Sequence, residues 1–188
     1  MRIWLRRLKT YLSYRPQRRY LLAEAYLMLG FARVLKAVPF ARALRILGAE
    51  RTETSHARNR EDELTLALIG KSLITMSRYT WWDSQCLVLA MAGMQMLARR
   101  GIESTMYLGT ARDKKTGKMV AHAWLRSGEA YVTGAYELER YVVVGVFGKT
   151  LQNSKKRRSA NHGTRYRGGS SPASAGASAA AGPNRRSR

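Results

Sequence analysis

Apolar residues recur along the first part of the chain with the spacing of a helix face. Trp4, Leu5, Leu8 and Leu12 form one stripe, and Leu22, Ala25, Tyr26 and Leu29 repeat the i, i+3, i+4, i+7 pattern that lines up side chains on one side of an α-helix. Pro39 interrupts the pattern. A short third helix is expected from Phe40 to Leu47, closed by Gly48, since glycine takes the left-handed conformation of a C-terminal cap without strain. Glu50 to Asn59 is polar and reads as a connector, after which Leu64, Leu66, Ala67, Leu68, Leu73, Ile74 and Met76 predict a further helix. From Cys86 to Ala98 nearly every position except Gln95 is apolar, which describes a helix buried on most sides, ended by Arg99, Arg100 and Gly101.

The period then changes from helical to alternating. Short strands are expected over Thr105 to Leu108, Met119 to Arg126, Ala130 to Thr133 and Tyr141 to Phe147. Asp113 to Lys118, with Gly117, makes one hairpin turn, and Ser127, Gly128 and Glu129 make the next. Several helices followed by an antiparallel sheet is an α+β arrangement. The chain divides into a helical N-terminal region over 1–60, a core over 61–150 and a tail over 151–188, with no internal repeat.

Composition adds an excess of positive charge. The 188 residues carry 34 Lys and Arg against 12 Asp and Glu, a formal net charge of +22, of which the first 150 residues hold +13. The tail opens with the basic cluster Lys155 to Arg158 and passes into Gly, Ser, Ala and Pro, a composition that buries too little to offset chain entropy. The basic residues among the first helices suit a solvated outer face, a membrane surface or an acidic peptide. One cysteine excludes an internal disulfide framework and suits a reducing compartment. Arg2, Arg6, Arg7 and Lys9 break the opening stretch before an apolar run develops, so no secretory signal is read. Ala25 to Ala32, bounded by Glu24 and Arg33, falls far short of the roughly 20 residues of a bilayer span. A cytoplasmic protein without a transmembrane segment is expected. One Cys and three scattered His lack metal-ligand spacing, and no glycine-rich segment forms a phosphate loop, so no metal and no cofactor are expected.

The chemistry candidates are Cys86 and His122. Cys86 opens the buried helix behind Trp81, Trp82, Asp83, Ser84 and Gln85, with Ser84 or Asp83 placed to serve as N-cap. Unpaired N–H groups and the positive end of the helix dipole favour a thiolate, the nucleophilic form. A packed structural cysteine is the plain alternative. His122, in Val120-Ala121-His122-Ala123-Trp124-Leu125, shares a strand face with Val120 and Trp124. A lone His in an apolar strand is often just a packed residue, yet His56 lies in the polar connector and His162 in the tail, so Cys–His chemistry must use His122. Thiol catalysis needs a base within hydrogen-bond reach and a third group that orients the base.

A nucleophile opening a central helix, followed by a base on the second strand of a sheet, is the papain and transglutaminase arrangement. On the segments RRYLLAEAYLMLGFARVLKAVPFARALRILG, SRYTWWDSQCLVLAMAGMQMLARRGIESTMYLGTARD, VAHAWLRSGEAYVTG and ERYVVVGVF, the chain resembles the lasso peptide biosynthesis B2 proteins. That family is similar to the C-terminal domain of the microcin-processing protein and has a transglutaminase-like cysteine protease fold. The resemblance implies an ATP-independent cysteine endopeptidase that removes the leader from a ribosomally made lasso peptide precursor before a separate cyclase closes the ring. It implies Cys86 as nucleophile and His122 as general base, then general acid. The implied partners are the precursor peptide with its leader, a leader-binding B1 protein and the lasso cyclase.

The third member does not carry over. The family pattern often places Asp after the His, at the position of Thr133 and Gly134, whereas Asp62, Asp83 and Asp113 all precede His122. Either a dyad operates, or Glu137, Thr133 or a backbone carbonyl orients the ring; Glu137 is the choice here, since a carboxylate best stabilises imidazolium. The Cys86 N–H and Gln85 are the oxyanion candidates, and Trp81, Trp82 and Trp124 are candidates for lining the cleft, with core packing as the alternative for each. Two other readings stay open. One is transglutaminase-like acyl transfer by the same machinery; the other is a basic scaffold or binding module, although no nucleic-acid motif is present and no specific nucleic-acid partner is expected.

Overall fold

The computed structural model describes residues 13–57 and 59–150. The Trp4–Leu12 stripe and the basic tail expected from the sequence lie outside these residues. Helix α1 runs over Pro16–Ala37. Pro16 stands in the first turn, where its missing N–H is not needed, and Val38 turns the chain extended ahead of Pro39. Helix α2 spans Phe40–Leu47 and ends at Gly48, whose φ of 132° is open to glycine. Helix α3, Arg60–Ser77, starts at Asn59, whose side chain accepts the Glu61 N–H at 3.1 Å. Glu61, Asp62 and Glu63 fill its first turn, where negative charge complements the dipole. Helix α4 spans Cys86–Arg99 and buries Val88, Ala90, Met91, Ala92, Gly93, Met94, Met96 and Leu97.

The five strands are β1 (Ala49–Glu50), β2 (Ser104–Arg112), β3 (Met119–Ser127), β4 (Ala130–Thr133) and β5 (Val142–Lys149), in the order β1-β5-β2-β3-β4 with every neighbour antiparallel. Met106, Ala123, Leu125 and Phe147 on one sheet face join α1, α3 and α4 in one apolar cluster. Helix and sheet approach closely at Gly93, where a Cβ would stand 2.7 Å from a Leu125 methyl, and at Gly70, where one would stand 2.5 Å from the Val132 carbonyl oxygen. Alternation sends Tyr107, His122, Trp124 and Arg126 to the opposite face. That face is covered by the segment around Thr54 and by the crossover 134–141 that carries the chain from β4 to β5.

The α+β reading holds, as do both hairpin turns. Three details differ. Strand β1 takes Ala49 and the first residue of the expected connector, Glu50, and adds to the far edge of the sheet, through Ala49 opposite Gly148 and Glu50 opposite Phe147. Strand β2 continues beyond Leu108 through Gly109, Thr110 and Ala111, which pair with His122, Ala121 and Val120. The cap of α4 is Gln85 rather than Ser84 or Asp83. Asp83 closes a turn on the Gln85 N–H at 3.2 Å, and the Ser84 hydroxyl is held by Thr80 at 2.9 Å. Among the described residues no helix is long and apolar enough to cross a membrane.

Candidate active site

Cys86 is the first residue of α4, half-buried, with its side chain against the apolar cluster. The loop that delivers it is tied down on both sides. Asp83 bonds Lys36 of α1 at 3.0 Å, and this bond, opposed by some burial, holds its carboxyl below the usual 3.8. Thr80 bonds the Ser77 carbonyl at 2.8 Å as well as Ser84. Trp82 packs on Tyr26 of α1 with ring centres 5.3 Å apart, beside Gly30, and its indole Nε1 is buried without a hydrogen-bond partner. Trp81 meets Trp82 edge-on and is 88% exposed. Gln85 is exposed, its backbone N–H engaged by Asp83.

His122 is 3% exposed and enclosed by three aromatic rings: Tyr136 at 4.6 Å, Tyr141 at 4.9 Å and Trp124 at 5.9 Å between centres. Trp124 is itself stacked on Tyr107 at 5.5 Å. This places Trp124 as the wall behind the imidazole, with 5% of its surface exposed. Gly109, opposite His122 on β2, makes the arrangement possible, because a Cβ there would stand 2.8 Å from the Trp124 ring and 3.0 Å from the Tyr141 Cβ.

The ring nitrogen Nε2 lies 2.9 Å from the carbonyl oxygen of Gly134. A carbonyl only accepts, so in the neutral ring Nε2 carries the proton and Nδ1 keeps the lone pair of a base. Gly134 has φ 74°, and a Cβ on it would come within 2.5 Å of the Ala123 carbonyl oxygen. The acceptor therefore depends on a glycine at this place. Thr133 is buried just before it with its hydroxyl unpartnered. Glu137 is not brought to the imidazole; at φ 48° it turns its carboxylate to Arg140, which also reaches Asp113 at 3.7 Å. Among the sequence alternatives for the orienting group, the backbone carbonyl is the one within bonding distance of the ring.

Tyr136 packs on His122 with ring centres 4.6 Å apart, and burial first, then its electrostatic interaction with Cys86, pushes its phenol above the usual range. Among the described residues Cys86 Sγ makes no hydrogen bond, to His122 or otherwise. Tyr136 and Tyr141 escaped the sequence reading because a tyrosine in a turn carries no spacing signal; only their closeness to the position expected for the third member pointed there. Behind the aromatic wall, buried Arg126 donates to Tyr107, to Glu53 and to the carbonyls of Thr54, Ser55 and Gly128. Tyr107 also donates to Glu53, whose carboxyl is held below 4.5 by that bond first. Burial, then the same bond, pushes Tyr107 above 10. No three His, Cys, Asp or Glu side chains among the described residues gather closely enough to hold a metal ion.

A family model described as "Transglutaminase-like superfamily" matches residues 25–146, which include Cys86, His122, Gly134 and the whole crossover. No curated protein and no solved structure matches the chain.

Proposed function

The chain belongs to the transglutaminase-like superfamily, and from that premise we propose that it is a cysteine endopeptidase that removes the leader from a ribosomally made lasso peptide precursor before cyclisation. Members of the superfamily are typically cysteine-dependent enzymes. The observation that carries the reading is the buried imidazole of His122, its Nε2 bonded to Gly134 and its Nδ1 left as a base, packed against Tyr136, which interacts electrostatically with Cys86. The narrower assignment to leader removal rests on the likeness of the Cys86 and His122 segments to the lasso B2 proteins.

In this mechanism Nδ1 of His122 takes the Cys86 proton and the thiolate attacks the carbonyl carbon of the scissile bond. The Cys86 backbone N–H, free at the start of α4, faces the developing oxyanion. The imidazolium gives its proton to the leaving nitrogen as the C–N bond breaks, and a water deprotonated by the same ring then releases the leader acid and restores the thiol. The Gly134 carbonyl keeps the ring in the productive tautomer throughout. The side chain of Cys86 turns onto Nδ1 when substrate is seated, since such hydrogen bonds tighten in the Michaelis complex.

The test is mass spectrometry of the precursor peptide encoded beside this gene, incubated with the protein and the matching leader-binding protein. One cut on the leader side is expected. Cys86→Ala abolishes it, and His122→Ala slows it about 10²- to 10⁴-fold, the usual range for a lost general base. A second probe is p-nitrophenyl acetate, which also modifies amines, so acetylation of Cys86 is read as the adduct that peptide mapping places on Cys86 and that Cys86→Ala loses. A precursor left whole by the wild type together with its partner overturns the protease reading. Cysteine acetylation under the same conditions then points to acyl transfer to another acceptor, and its absence points to a scaffold.

A further inference from the structure

Among the described residues, strand β5 has an open edge. One side of it pairs with β2, with a bulge that leaves Val144 unpaired, but on the other side β1 covers only Phe147 and Gly148, with the Arg51 N–H reaching the Val146 carbonyl at 2.8 Å. There the covering chain leaves: Arg51 sits at φ 55°, a left-handed conformation that turns it off the edge. From Val142 to Gly145 the edge has no strand partner among the described residues. Exposed edges are ordinarily blunted by charge or proline. This one is Val142, Val143 and Val144, exposed by 70%, 46% and 63%, and then Gly145. Beside it a hollow of about 340 Å³ is lined by Arg51, Glu53, Val143, Val144, Gly145 and Val146.

The edge is level with the candidate active site. Val143 pairs with Gly109, and Gly109 pairs with His122, so the three form one row across the sheet. Tyr141, immediately before Val142, touches the imidazole. A backbone edge with apolar flanks matches an extended peptide, which supplies both missing N–H and C=O groups and alternating side chains. Pairing with a second copy is disfavoured because each chain carries +22. The direction also follows. Strand β1 runs antiparallel to β5, and a peptide continuing along the same edge would keep that sense. Its C-terminal end would then leave past Val142 toward Tyr141 and His122.

We propose that the open edge of β5, Val142–Gly145, docks an extended stretch of the peptide substrate, added antiparallel where β1 ends, so that it holds residues on the N-terminal side of the bond to be cut. The proposal rests on the endopeptidase reading. It makes the leader side of the precursor the part recognised by backbone pairing, with a side chain seated in the hollow between Arg51 and Glu53.

The experiment uses wild-type protein and a library of internally quenched decapeptides, with the best-cut member resynthesised in versions carrying one backbone N-methyl group at each position before the cut. Strand addition predicts alternation: methylation at every second upstream position lowers kcat/KM about 3- to 10-fold, the worth of one lost hydrogen bond, while the positions between tolerate it. Hydrogen exchange at Val142 to Val146 slows when the leader-side product is added. In Val144→Pro, which sets a proline at the bulge within the proposed docking edge, the alternation flattens. Equal tolerance at all upstream positions overturns the proposal, as does a library left uncut while p-nitrophenyl acetate still acetylates Cys86. Failure of both probes strikes at the endopeptidase reading itself. A dimer in sedimentation that Val144→Pro dissociates gives the edge to a second copy and likewise overturns the proposal.

Discussion

At the scale of single residues, the orientation of His122 depends on an atom with no side-chain identity. The Gly134 carbonyl accepts from Nε2, and it reaches that place only because a φ of 74° and the contact with the Ala123 carbonyl exclude a Cβ. Gly134→Ala is expected to cost about 1–3 kcal/mol, the range for a side chain forced into a left-handed position, and to abolish acetylation of Cys86 by p-nitrophenyl acetate by displacing the acceptor. Glu137 makes the contrasting case, because its carboxylate is spent on Arg140. If Glu137 oriented the ring, Glu137→Gln would bring a loss approaching the roughly 10⁴-fold seen when a triad loses its carboxylate. With Gly134 in that role the expected change in the acetylation rate is within about twofold. Acetylation kinetics of the two variants, each with a thermal melt, separate the two assignments.

At the scale of elements, the helix that carries the nucleophile could be read from its apolar run alone, since thirteen nearly uninterrupted apolar positions have few other homes. Strand β3 was equally plain, with alternation around His122. The second half of β2 was hidden because Gly109, Thr110 and Ala111 are too small or too polar to announce a strand; their places are fixed by β3, β5 and the bulk of Trp124. Strand β1 was hidden because two residues carry no period, and its pairing is set by β5 far along the chain. The orienting carbonyl was open only as one alternative among three, since any residue owns a carbonyl. Arg126 shows how elements beyond the site hold it. It is 2% exposed and gathers Glu53, Thr54 and Ser55 under Tyr107, which stacks on Trp124 behind His122. Arg126→Met fills the space but leaves those carbonyls without their donor. A loss of about 2–4 kcal/mol in urea unfolding is expected, tempered by the half-exposed state of Glu53. A variant as stable as the wild type would show that the clamp adds no stability.

At the scale of the whole molecule, the ionisable groups that anchor this architecture define a stability plateau with two edges. Asp83 and Glu53 have carboxyls held below 3.8 and 4.5, chiefly by the bonds from Lys36 and Tyr107. A group with a depressed folded pKa contributes fully above its unfolded value, and that contribution is lost as pH falls through the folded one. Tyr107 and Tyr136 lie above 10, burial being the first cause for both. Their neutral forms are favoured by folding, so their share is present below 10 and is lost as pH rises through the folded values. Melting temperature is therefore expected to hold from about pH 5 to about pH 9.5, and to fall on either side. The net charge of +22 sharpens the acid edge, because each carboxylate neutralised adds to an already unbalanced repulsion. Salt screens that repulsion, so 0.3 M sodium chloride should raise the melting temperature more at pH 3.5 than at pH 7. Asp83→Asn, which gives up the depressed carboxyl on the loop leading to Cys86, should lower the plateau and leave a gentler acid slope. A slope as steep as that of the wild type would remove the Lys36–Asp83 tie from the account of how that loop is held.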